Sequence, residues 1–139
     1  MLKISIRVVK RRGRRIEKAY FYNSPRSSIF NAKCGKDRIH SFIEMLGKSY
    51  RWSRSGRTLY IDGEDPDAKN TFKILLIFSA ITQCTRETSK IPWIAEAVAK
   101  LGEFATLFWY SRFVEEYEER GFWGVCRAAK AFRILYRID

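Results

Sequence analysis

One segment of this chain, residues 72–81, is apolar on nearly every side of a helix. Such a helix must be surrounded by protein, so it indicates a folded domain built around it. Pro66 suits the first helical turn and Asp65 the N-cap, which predicts a helix over residues 66–84. The longest apolar run is too short to cross a bilayer and the N-terminus has no signal-peptide pattern. We therefore expect a cytoplasmic protein with no membrane span.

Three more helices are predicted in the second half of the chain, with Gly102 and Gly121 between them. They cover residues 92–101, 103–120 and 122–136. In the long middle helix, the helical period places four apolar residues along one stripe: Phe104, Leu107, Phe108 and Val114. Together with the apolar segment, these helices predict a bundle.

The first half of the chain alternates with a period of two, which is typical of strands. It predicts two hairpins with basic tips: residues 2–9 and 16–22 around 10–15, and residues 50–52 and 58–61 around 53–57. Gly13 and Gly56 permit the positive φ of a tight turn. A loop over residues 23–35 and a short helix over residues 37–46, closed by Gly47, are predicted between the hairpins.

These elements predict one α+β domain over residues 1–139. Its N-terminal ββαββ part, residues 1–62, consists of two basic-tipped β-hairpins around a short helix. We expect this part to pack on a C-terminal bundle of three to four helices, residues 66–136. No linker rich in proline, glycine or serine divides the two parts.

Positive charge is concentrated at the N-terminal end. Residues 1–60 hold 16 of the 27 Lys and Arg residues and only three acidic residues, a net charge of +13. Residues 61–139 carry a net charge of −1. Folding does not require this asymmetry, which therefore indicates a polyanionic partner. A surface that only needed to be solvated would mix charges of both signs.

The predicted binding surface consists of the two hairpin tips and the start of the helix between them. Arginine contacts phosphate through a planar, bidentate fork and can stack on bases, and a β-ribbon fits a DNA groove. A tryptophan beside the second tip is included as a platform on which a base could stack. The predicted nucleic-acid-binding residues are Lys10, Arg11, Arg12, Arg14, Arg15, Lys33, Lys36, Arg38, Arg51, Trp52, Arg54 and Arg57.

The carboxylates between the two halves and the single histidine indicate no reaction. His40 has no evident nucleophile or acidic partner, so we interpret it as a half-buried helix residue. Four carboxylates could hold Mg²⁺ for phosphodiester cleavage, but they serve equally well as cap and dipole partners of the next helix. These residues are Asp62, Glu64, Asp65 and Asp67. We assign no catalytic residue, no metal and no other cofactor.

The cysteines Cys34, Cys84 and Cys126 are far apart in the sequence and form no CxxC pair. This spacing fits three isolated thiols in a reducing compartment. One disulfide among them is the alternative.

The long helix offers a second contact surface. Its aromatic cluster occupies adjoining faces that cannot all enter one core, which favours a homodimer or partner-protein interface. This cluster is Phe108, Trp109, Tyr110 and Phe113. An acidic run follows, which we interpret as a solvated face or as a patch that contacts either the basic hairpins of a second copy or a partner subunit. This run is Glu115, Glu116, Glu118 and Glu119.

The sequence therefore predicts a small non-enzymatic nucleic-acid-binding protein that recognises mainly the phosphate backbone of DNA or RNA. Self-association as a homodimer is part of this prediction. Two alternatives stay open: a basic adaptor or inhibitor subunit that docks on an acidic partner, and a metal-dependent nuclease.

Overall fold

The computed structural model describes residues 2–11, 14–22, 36–48, 50–56, 58–61 and 66–138, with the first two strands described by backbone and register. In chain order, the elements are β1 (Leu2–Arg11), β2 (Arg14–Tyr22), α1 (Lys36–Met45), β3 (Arg51–Trp52), β4 (Thr58–Ile61), α2 (Pro66–Gln83), a 3₁₀ turn (Thr88–Lys90), α3 (Ile91–Ala99), α4 (Glu103–Arg120) and α5 (Phe122–Leu135). They form two compact units, residues 1–72 and 73–139, and α2 contributes to both. One domain over residues 1–139 stays a prediction.

The predicted α+β class, a ββαββ part packed on a bundle, is wrong. Helices account for 74% of the residues whose side chains are described, and the only strands among these residues are the two of the β3–β4 hairpin. The physical reason is that β3 has two residues and β4 has four, too few to form a layer of the core. The described core is built almost entirely by helices.

The backbone pairing joins the two hairpins in the order β2-β1-β4-β3, with antiparallel neighbours. The β1–β2 register runs to the pair Arg11↔Arg14. The predicted tip over residues 10–15 is therefore shorter than expected, because Lys10, Arg11, Arg14 and Arg15 all belong to the strands. In the second hairpin, Gly56 adopts the positive φ of 71° that the turn requires.

In the first unit, α1 buries one side. Ile39, Phe42 and Ile43 are all buried, as their helical spacing predicts. Gly47 follows the helix with a φ of 69°, and the amide of Lys48 donates to the carbonyl of Ile43. The helix end is thus closed by a glycine in the left-handed region, as predicted.

The helix α2 is buried on almost every side, which confirms the central feature of the sequence. Every residue from 71 to 82 is buried except Lys73. The hydroxyl groups of Thr71 and Thr82 donate to carbonyls of their own helix, at 3.0 and 3.1 Å, so their burial is compensated. No described helix is both long and apolar enough to cross a membrane.

In the second unit, α4 and α5 pack through aromatic rings. Trp109 and Phe132 meet edge to face, with ring centroids 5.0 Å apart, and Phe113 is fully buried beside them. The stripe predicted from Phe104, Leu107 and Phe108 is instead exposed, Phe104 by 90%. The helix carries two apolar stripes, and its spacing alone does not say which of them α5 covers.

The closest approach of α4 and α5 is at Gly124. A β-carbon built at this position would lie 2.2 Å from the carbonyl oxygen of Glu116. The hydrogen atom of a glycine is therefore what allows the two backbones to meet here.

We expect Gly124→Ala to lower the free energy of unfolding by about 1–3 kcal/mol, because the added methyl group forces the two helices apart. Urea unfolding followed by circular dichroism measures the change. Gly102→Ala is the matched control, because a β-carbon there meets no atom within 4 Å. Equal stability of the two variants would contradict the close approach.

A disulfide bond joins Cys84, just after α2, to Cys126 in α5. The Cα atoms are 5.2 Å apart, which is within the usual range for a disulfide. The prediction of three isolated thiols is therefore wrong for this pair, because folding brings together residues 42 positions apart. The cysteines therefore no longer indicate a reducing compartment, and the cytoplasmic location stays a prediction.

We expect Cys126→Ser to lower the free energy of unfolding by up to about 4 kcal/mol, the chain-entropy value for a loop of this length. Urea unfolding with and without dithiothreitol tests this. The reductant should destabilise the native chain and leave Cys126→Ser unchanged. A native chain that is indifferent to reductant would show that the bond contributes nothing.

Candidate nucleic-acid interface

The strand register defines two faces in the sheet. Tyr22, Lys3, Tyr60 and Arg51 occupy successive positions of one cross-strand row. The next row contains Leu59, which is fully buried. Because successive residues of a strand alternate between faces, the row with Arg51 belongs to the face opposite the buried one. The exposure of Arg51 agrees with this placement.

The face that contains Arg51 collects basic residues from β1 and β2. Of the ten residues of the first hairpin that alternation places on it, none is acidic and five are basic. With Arg51 these five form what we call the basic face: Lys3, Arg7, Arg11, Arg14, Lys18 and Arg51. Glu17, the only acidic residue of the two strands, pairs with Val8 and falls on the opposite face.

Like charges lie directly opposite each other along this hairpin. The register pairs Arg7 with Lys18, Lys10 with Arg15, and Arg11 with Arg14. Like charges in directly opposed cross-strand positions destabilise a sheet, by an amount comparable to the few tenths to about 1 kcal/mol that favourable pairs contribute. These three opposed pairs therefore work against the pairing of β1 with β2.

Three residues of the basic face were missed by sequence reasoning: Lys3, Arg7 and Lys18. The glycine-containing tip predicts binding residues only over residues 10–15, and these three residues lie outside that segment. The signal that could have found them is the period of two, which gives Lys3, Arg7 and Arg11 the same parity. Lys18 joins this face only through the pairing register of β1 with β2, which the period of two does not predict.

The β3–β4 hairpin holds its arginine against an aromatic ring. The Cζ atom of Arg51 lies 4.4 Å from the ring centroid of Tyr60, its register partner. This distance is within the range of a cation–π interaction, which holds the guanidinium group beside the ring. Arg54 is exposed in the adjoining turn. The second predicted tip thus presents two arginines at its surface.

Trp52 is engaged by the protein itself. Its ring stacks on the His40 imidazole, with centroids 3.7 Å apart and planes inclined by 16°. The Nε2 atom of His40 is 3.0 Å from the carbonyl oxygen of Gly56, to which it donates a hydrogen bond. His40 is half-buried, as predicted, but it also connects α1 to the hairpin turn. One face of Trp52 is therefore covered by His40; a base-stacking role for Trp52 stays a prediction.

The remaining predicted residues are not all brought together. Arg38 is half-buried on α1, and Lys36 is the first residue of that helix. Lys10 and Arg15 form the pair before the last one of the first hairpin and fall on the face opposite the basic face. Arg12, Lys33 and Arg57 lie outside the described residues.

The acidic residues before α2 show no metal arrangement in the part that is described. Asp67 forms an ion pair with Lys48, while Asp62, Glu64 and Asp65 lie outside the described residues. Among the described residues, no group of three or more His, Cys, Asp or Glu side chains could hold a metal ion.

The predicted contact surface on α4 is smaller than the sequence indicated. Trp109 and Phe113 are buried, and Phe108 is the one residue of the aromatic cluster that is strongly exposed. The physical reason is that these two rings occupy the side of α4 that α5 covers. Whether the exposed part binds a partner or a second copy stays a prediction.

The acidic run on α4 is not simply a solvated face. Glu116 is 94% buried, since only 6% of its surface is exposed, and its carboxylate lies between Arg112 and Arg120 at 3.5 and 3.0 Å. A hydrogen bond to Glu119, together with the charge of Glu116, raises the pKa of Arg120 above its ordinary value. Glu116 and Glu119 are thus paired with arginines of the same helix.

Comparison with protein-family models, with curated proteins and with solved structures finds no match to this chain.

We expect His40→Ala to destabilise the protein by about 1–2 kcal/mol, because it removes both the ring stack and the hydrogen bond to the turn. Urea unfolding measures the loss. His40→Phe, which keeps an aromatic ring but no donor, should recover part of it. Ser41→Ala, at the exposed neighbouring position, is the control. Unchanged stability of His40→Ala would refute this role.

Proposed function

We propose that this chain is a non-enzymatic nucleic-acid-binding protein whose basic face contacts the phosphate backbone. The observation that carries the proposal is the set of opposed like charges in the β1–β2 register. A row of phosphates would place negative charge between the paired cations, so that binding relieves a repulsion that the free protein carries.

Tyrosines on the basic face favour single-stranded nucleic acid within this proposal. Tyr20 and Tyr22 have the same parity as Lys18, and Tyr60 lies in the row of Lys3 and Arg51. Proteins that bind single strands combine cations that follow the backbone with aromatic rings that stack on bases, at about 1–3 kcal/mol per base. The same face would supply both kinds of contact.

Self-association belongs to the proposal as its second part. On α4, the exposed apolar residues Phe104, Leu107 and Phe108 lie on the side that α5 does not cover. Exposed aromatic and aliphatic side chains of this kind are enriched at protein interfaces. A second copy would cover them and bring two basic faces to one strand of nucleic acid.

We expect fluorescence anisotropy with labelled oligonucleotides to show salt-dependent binding. If about six phosphates are neutralised, the slope of log affinity against log salt is about −4 for single strands and about −5 for duplexes. Sedimentation equilibrium of the same complexes reports whether one or two copies bind. An absence of DNA and RNA binding at low salt would refute the proposal and favour an acidic protein partner.

A pair of matched variants separates binding from folding in this experiment. Arg7→Gln with Arg11→Gln removes two like-charge pairs, so stability should stay equal or rise while the salt slope becomes shallower by about 1.5. Arg127→Gln with Lys130→Gln removes the same charge from exposed positions of α5 and should leave the slope unchanged. Equal effects of the two variants would show attraction by net charge alone.

A further inference from the structure

The second unit contains an open cleft of about 700 Å³ between α3, the start of α4 and the chain after α5. This volume is in the range of small-molecule sites, which is about 300–1,000 Å³. The lining residues on which the argument depends are Trp93, Glu96, Lys100, Leu101, Tyr136 and Arg137. All of them belong to the unit formed by residues 73–139.

The apolar part of the cleft combines a buried floor with aromatic walls. Leu101 is buried, whereas Trp93 is 63% exposed at the rim. Tyr136 is held in place by Phe132, with ring centroids 4.4 Å apart. Two exposed aromatic rings and one buried aliphatic side chain thus line this part of the cleft, which we call the apolar slot and which suits a flat apolar group.

The wall after α5 is firmly fixed. The amide of Ile138 donates to the carbonyl of Arg133 at 2.8 Å, and the amide of Arg137 to the carbonyl of Ile134 at 3.2 Å. The Nζ atom of Lys90 donates to the carbonyl of Ile138 at 3.1 Å. Residues 137 and 138, which form this wall, are therefore hydrogen-bonded both to the end of α5 and to Lys90.

Arg137 occupies a position that ordinarily takes glycine. The two hydrogen bonds that the amides of Arg137 and Ile138 donate are those of a Schellman motif. In this motif Arg137 has the left-handed φ of 57°. It is the only non-glycine residue with positive φ in the described part of the chain. Because glycine would avoid the strain of this backbone conformation, the guanidinium group of Arg137 is where we look for a binding role.

The charges of the cleft select an anion. Lys100 is paired with Glu96 at 2.9 Å, which leaves the guanidinium of Arg137 as the excess charge among the described lining residues. Arginine binds carboxylate and phosphate groups through two parallel hydrogen bonds. The apolar slot and this cation lie in the same cleft.

We propose that this cleft binds a small molecule with a flat aromatic body and one anionic group, a carboxylate or a phosphate. Arg137 contacts the anion, and Trp93 and Tyr136 hold the ring. The site is independent of the basic face, since it lies wholly within the second unit.

The test is calorimetric titration of the full chain with three probes: 2-naphthoate, 2-naphthyl phosphate and neutral 2-naphthamide. We expect saturable binding of at least one anion, with Kd of about 1 mM or lower, and binding of the amide at least about tenfold weaker. The tighter of the two anions identifies the carboxylate or the phosphate class. Absence of binding by both anions, or equal binding of the amide, would overturn the proposal.

Two variants assign the roles within the cleft. Arg137→Gly should weaken anion binding by about tenfold or more while the midpoint of thermal unfolding stays equal or rises, because glycine suits the left-handed position. Trp93→Ala should also weaken binding. Trp123→Ala is its matched control, since Trp123 is equally exposed, by 63%, and lies outside the cleft. Equal affinity of Arg137→Gly and the native chain would overturn the assignment, as would equal effects of the two tryptophan variants.

Discussion

The burial of α2 on nearly every side is the constraint on which the rest of the structure depends. From residue 74 to residue 82 every side chain is buried, and each fully buried Leu, Ile or Phe stabilises the fold by about 1.5–3 kcal/mol. A helix of this kind cannot form alone in water, because it has no polar side to present. In the second unit, the disulfide from Cys84 to Cys126 ties the end of α2 to α5.

Close packing of α4 and α5 explains where the exposed residues of the second unit lie. Gly124 lets the backbones meet, so Trp109, Phe113 and Phe132 fill the space between the helices. The other apolar stripe of α4 then remains at the surface. The turn after α5 places Arg137 in a left-handed conformation that disfavours any side chain by about 1–2 kcal/mol. Because strained residues cluster at functional sites, Arg137 is a candidate for a binding role.

The candidate interface also contains residues that oppose stability, because the β1–β2 register pairs like charges. The sequence was sufficient to find the excess of cations in residues 1–60 and to place them near two glycine-containing turns. It was not sufficient to find the basic face, because Lys3, Arg7 and Lys18 come together only through the pairing register. Nor did it predict that His40 stacks on Trp52, since the two residues meet only when α1 packs beside the hairpin.

The sequence by itself determined the helical segments and their ends, the buried side of α1 and the central place of α2. These features depend on local spacing, on glycines that permit positive φ, and on apolar residues that water excludes. Only the tertiary structure decided which stripe of α4 is buried, that Cys84 and Cys126 are bonded, and that helices rather than a sheet dominate the described core. Each of these outcomes depends on contacts between residues distant in the chain, and spacing along one helix or strand carries no information about the partner that covers it.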